Sequence, residues 1–236
     1  MSENETTNNN IWIPRLLIFV FPLIVLCYLV YLFIFGPPQA DRLQHFVPQT
    51  DRAGEVKLNA AGDTIWHSIP DFTFVNQNGK QVSDTILDDK ITVVDYFFTT
   101  CPSICIAMSN NLTKVQKVFS EDEDVRILSH TVDPETDDPA TLLAYAERYE
   151  ANPKIWTFVT GKKEELYDQA RYGYFIPAPL PSDGEEDFVH SERFILIDKN
   201  RNIRGFYDGT DTLEVTRMIE EIQVLQLEYG THKKYR

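Results

Sequence analysis

Residues 16–35 read LLIFVFPLIVLCYLVYLFIF, twenty positions without a charge. At ~1.5 Å per residue, a helix of this length spans ~30 Å, the hydrocarbon thickness of a bilayer. The run predicts a transmembrane anchor over 16–36, kinked at Pro22 and stopped by Gly36, Pro37 and Pro38. A cleaved leader has a shorter apolar stretch and a small-residue cleavage site, which Phe35-Gly36-Pro37 does not resemble. Residues 1–15 form a polar tail. Residues 37–67 have few apolar positions and no period, and read as a stalk with one short strand near 55–58.

Beyond the stalk, strand and helix patterns alternate over 68–228. DFTFVNQNGKQVS is a hairpin turning at Asn78-Gly79. ITVVDYFF (91–98) is a mostly apolar run suited to a buried central strand. A helix is expected from Pro102 to about Phe119, and a strand over 125–132. Asp138-Pro139 then caps and opens a helix ending before Pro153. A strand (155–160) and a helix (162–172) follow, and 194–207 reads strand, turn, strand. The last helix starts at Asp211, where Glu214 completes a capping-box pattern. Its stripe is Val215, Met218, Ile219, Ile222 and Leu225. Residues 229–236 are a charged tail. No internal repeat is visible. The order predicts an α/β domain with a partly parallel sheet, helices on both faces and an antiparallel pair near the end, as in a thioredoxin-like fold.

Composition narrows the function. The 236 residues carry a net charge of −14, which excludes a general nucleic-acid binder. Residues 1–36 hold one Arg and two Glu, so the remainder carries −13 and suits a partner with a basic docking face. Three cysteines are too few for a disulfide scaffold. Cys27 lies inside the apolar run and reads as filler.

Cys101 and Cys105 flank Pro102 in FFTTCPSICIAMSNNL. Proline favours the first helical position, which places Cys101 at the cap and Cys105 one turn in. The stripe Cys101, Cys105, Met108, Leu112, Val115, Phe119 puts both sulfurs at the head of the apolar face, and a helix N-terminus stabilises thiolate. Helical i,i+4 spacing separates Cβ atoms by ~5–6 Å, wider than the ~3.8 Å of a disulfide. A metal bridges that gap more readily. Two thiolates and one imidazole form a soft, low-coordinate site that selects Cu(I) over structural zinc. The third ligand would come from His45, His67, His130, His190 or His232. Of these, His190 stands before a buried strand in a loop that a thioredoxin-like sheet turns toward the cysteine helix.

These motifs resemble the Sco/SenC family of membrane-anchored, copper-binding assembly factors of cytochrome c oxidase. FFTTCPSIC matches the family's F-x-x-C-x-x-x-C, VDPETDDPATL its D-P-x-x-D-x-P run, IWTFVTG its following strand, and VHSERFILID its distal histidine. The resemblance covers the anchor and roughly residues 68–228. It implies one copper ion bound by Cys101, Cys105 and His190. It also implies service to the binuclear copper centre of the oxidase's copper-bearing subunit, with a copper donor and a thiol reductase as further partners. Val189 departs from the acidic residue often found before the histidine, and the loop PAPLPSDGEED (177–187) is long and acidic. Asp133, Asp137 and Asp138 read equally as site-positioning groups or as turn and cap residues.

The competing reading is a thiol–disulfide oxidoreductase, with Cys101 and Cys105 as its redox pair. Thioredoxins use C-x-x-C and a proline before the facing strand, and HSERF has none. Flanking charge alone (Arg15 before the run; Arg42, Arg52 and Lys57 after it) points the domain inward. The resemblance and the cost of exporting the N-terminus point it outward, to a periplasm. MSENETTNNN lacks the Arg-rich character of a mitochondrial transit peptide.

Overall fold

The computed structural model describes residues 22–28, 43–177 and 191–230. Two compact units divide the chain, residues 1–40 and 41–236. Of the expected anchor only 22–28 is described. It is helical, and Leu23, Ile24 and Leu26 are exposed. Among the described residues no helix is long and apolar enough to cross a membrane.

Among the described residues the larger unit has seven strands: β1 (Thr73–Asn76), β2 (Gln81–Ser83), β3 (Ile91–Phe97), β4 (Val125–Thr131), β5 (Trp156–Thr160), β6 (Arg193–Ile197) and β7 (Ile203–Asp208). They lie in the order β2-β1-β5-β4-β3-β6-β7. The three central strands β3, β4 and β5 are parallel, and every other pairing is antiparallel. All seven residues of β3 are buried, as its nearly unbroken apolar run requires.

Strand alternation divides the core between the two faces. On one face, Ile91, Val93 and Phe97 meet α1 (Ile104–Val118), α2 (Pro139–Arg148) and α4 (Thr212–Glu228). On the other, Val94 and Tyr96 meet Leu87 of a 3-10 turn (Asp84–Leu87) and α3 (Lys163–Asp168) with the π turn that extends it (Gln169–Gly173). Both predicted helix stripes are buried, apart from a half-buried Ile219. Asp138 and Asp211 cap α2 and α4 as expected. Glu214 instead pairs with Arg217, at 2.6 Å.

The stretch read as a stalk is folded into the larger unit from Leu43 onward. Backbone N–H groups of Gln49, Lys57 and Ile65 donate in a ring to the carbonyls of Ile65, Gln49 and Lys57 (2.8–2.9 Å). Asp51 and Asn59 brace the two connecting turns, each Oδ1 accepting two backbone N–H bonds. Gly54 and Gly62 take positive φ (84° and 89°) where those turns reverse. Contrary to the expectation of no internal repeat, this is an eight-residue repeat, T-D-R-A-G then L-N-A-A-G. Its signal lies in turn chemistry rather than in apolar spacing. The segment joins the sheet through Phe46 N–H to Ile203 O (3.0 Å) and Ile69 N–H to Arg201 O (2.9 Å).

Candidate metal centre

The chain turns immediately after β3, with the Cys101 N–H donating to the Phe98 carbonyl at 3.2 Å. α1 begins only at Ile104, with Ser103 in the cap position and no side chain closing the cap. The expected start, with Cys101 as cap and Pro102 as first helical residue, is therefore displaced by two residues. Local bonding explains the shift: Cys101 Sγ accepts the Cys105 N–H at 3.4 Å, so the sulfur itself serves a helix-start donor from outside the helix.

Both cysteines are buried and neither is in a disulfide. Their acidities diverge. Burial works against the Cys101 thiolate, but the backbone N–H groups of Ser103, Cys105 and Ile104 and the Cys105 thiol converge on its sulfur and hold its pKa below the ordinary thiol value. Cys105 is pushed well above that value, first by burial and then by its contact with Cys101. Iodoacetamide at neutral pH is therefore expected to label Cys101 about tenfold faster than Cys105 or more. Peptide mapping reads this directly, and equal labelling would contradict it.

Beneath the pair lies an ionisable group absent from the expected site residues. Asp95 sits in the middle of β3 on the face of Phe97 and is buried. The Ser129 hydroxyl donates to its carboxylate, and Trp156 Nε1 donates to Ser129 Oγ at 2.8 Å. Burial raises the Asp95 pKa to about 7, against the stabilising Ser129 hydrogen bond. The signal was an acidic residue inside an otherwise apolar central strand.

The described histidines do not join the cysteines. His45 stacks on Trp66 with centroids 5.0 Å apart, and His67 Nε2 lies 2.9 Å from the Gly173 carbonyl. His130 is buried across the sheet from the cysteines, among Phe72, Phe74, Tyr96 and Tyr174. Among the described residues neither of its ring nitrogens has a hydrogen-bond partner, and burial lowers its pKa to about 3 despite the nearby Leu128 and Asp95 backbones, so it is neutral. His190 and His232 lie outside the described residues, as does loop 178–190. Among the described residues no three potential ligands gather. In sequence, the described residue next to His190 is Ser191. It lines one groove with Ile104, which lies between the two cysteines in sequence, and with Arg193, Phe206 and Asp208.

A dithiol at the start of the helix that follows a central parallel strand, in a mixed sheet covered on both faces, defines a thioredoxin-like protein. The SCO1/SenC family model matches residues 64–225, and the chain belongs to that family. The SCO1 protein homolog of Bacillus subtilis is 30% identical over 162 residues, 68% of this chain and 84% of that protein. The structure of BsSco, described as a member of the Sco family of cytochrome c oxidase assembly proteins with a disulfide switch, is 29% identical. That match has a TM-score of 0.60 and covers 70% of this chain and 96% of BsSco. Copper-bound ScoI of Arabidopsis thaliana is 24% identical, with a TM-score of 0.55 over 69% of this chain and 99% of its own, and bears on the fold alone.

Proposed function

We infer that this chain is a membrane-anchored copper metallochaperone that binds one copper ion through Cys101, Cys105 and His190, for assembly of the binuclear copper centre of cytochrome c oxidase. The observation that carries the reading is the pair of free, buried thiols at the start of α1, with Cys101 already biased toward thiolate. Two sulfur donors fit a soft ion, and capture of that ion displaces the proton held on Cys105. The groove from Ile104 to Ser191 supports His190 as the third donor. The oxidase-assembly role stated for BsSco supports the destination. The exposed apolar side chains of 22–28 support the anchor, with the domain in the periplasm. The oxidase's copper-bearing subunit is the target, and a copper donor and a thiol reductase complete the cycle.

Copper titration of the full chain in detergent tests the assignment. One equivalent of Cu(II) is expected to give a sulfur-to-copper charge-transfer band. Cys101→Ser or Cys105→Ser should abolish it, and His190→Ala should greatly weaken it. Native affinity and spectrum in His190→Ala would remove that residue from the ligand set.

The unequal thiols favour a second reading, a thiol–disulfide oxidoreductase with Cys101 as nucleophile and Cys105 as resolving thiol. The disulfide switch described for BsSco supports it. Rapid reduction of protein disulfides by a chain that binds no copper would establish this alternative.

A further inference from the structure

Three aspartates follow β4, and their bonding separates their tasks. Asp138 caps α2, its Oδ1 accepting the Thr141 N–H at 2.7 Å. Asp133 shapes the turn: its N–H donates to Thr131 Oγ1 at 3.0 Å, and its carbonyl accepts the N–H groups of Thr136 and Asp137. The Asp137 side chain serves neither cap nor turn. Its residue is fully buried, and its carboxylate accepts the Thr99 N–H at 3.2 Å, the Thr99 hydroxyl and the Thr131 hydroxyl.

Those donors stand at two adjoining strand ends. Thr131 closes β4 opposite Phe97, the last residue of β3, and Thr99 lies two residues before Cys101. A turn or cap is satisfied by an exposed aspartate, as Asp138 illustrates. A carboxylate taken wholly out of water costs stability unless hydrogen bonds compensate it, and here all three come from groups bordering the cysteine turn.

We propose that Asp137 is a positioning residue for the cysteine pair: it locks Thr99 against the end of β4 and so fixes the turn from which Cys101 Sγ reaches the Cys105 amide. The metal consequence rests on the copper reading; the thiol consequence does not.

Asp137→Ala, Thr99→Ala and the double variant test this in the full chain, with Ile203→Ala at the opposite end of the sheet as a control for general destabilisation. Asp137→Ala is expected to weaken copper affinity by about 10–100-fold and alter the charge-transfer band, whereas Ile203→Ala preserves both. The pH midpoint of Cys101 alkylation should rise toward that of an ordinary thiol in Asp137→Ala alone of those two. Because Asp137 acts through Thr99, the double variant should be no worse than Asp137→Ala. Equal thiol midpoints in Asp137→Ala and Ile203→Ala, or strictly additive effects with Thr99→Ala, would overturn the proposal. If the wild-type chain takes up no copper, the copper reading fails, and the alkylation midpoints still decide the role of Asp137.

Discussion

Arg204→Ala is expected to destabilise the domain by about 3–5 kcal/mol, because it removes one partner from a buried ion pair. Arg204 and Asp198 are 1% and 0% exposed at their side chains, and Nη1 lies 2.8 Å from Oδ2. Asp198 Oδ1 keeps the N–H groups of Asn200 and Asn202, but its charge is left buried without its counter-ion. The same guanidinium pairs with Glu228 of α4 at 3.0 Å and donates to the carbonyls of Leu43 and Gln44. One side chain thus joins β7, the β6–β7 turn, the last helix and the start of the unit. Denaturant unfolding of the full chain provides the measurement. Pairing Arg204→Met with Asp198→Asn should recover part of the loss by removing the orphaned charge. A single-variant effect below about 1 kcal/mol would show that this pair contributes little.

The second large effect concerns Asp95 and pH. Its carboxyl has a folded-state pKa of about 7, raised by burial. An unfolded aspartate titrates near 3.9. Between those values the folded chain holds a proton that the unfolded chain releases, so this group's contribution to stability falls as pH rises from about 4 to about 7 and then levels off. The loss is of order 4 kcal/mol. Asp95→Asn cannot ionise and should remove that slope. The variant is therefore expected to gain on the wild type by a few kcal/mol between pH 4 and pH 8. Denaturant midpoints of both proteins across that range decide the matter, and parallel pH profiles would refute it.

The parts of this fold that follow apolar period were legible in advance. The central strand, both helix stripes, the Asn78-Gly79 hairpin and the caps at Asp138 and Asp211 all stand close to where the pattern placed them. Features set by hydrogen bonds were not. The ring over 47–67 holds together through backbone bonds and Asx turns, so it has no apolar stripe to announce it. The late start of α1 depends on a sulfur accepting an amide, an alternative that the Pro102 rule does not weigh. The cysteine pair was readable because i,i+4 spacing fixes it locally. The layer around it was not, because Thr99–Asp137 and Asp95–Ser129 join residues 38 and 34 positions apart. The sequence could offer Asp137 only as one of three equivalent aspartates.

The ring has a further consequence at the border of the sheet. β7 is the last strand, and its outer side would otherwise offer bare amides and carbonyls to another chain. The flanks of the ring occupy that side near its start: Phe46 takes the Ile203 carbonyl, and Ser68 bridges to Asn202. At the opposite border stands β2, only three residues long. A sheet with one margin partly covered and the other this short offers little open edge, so the residues flanking the repeat blunt the β7 border as well as connecting the segment to the sheet.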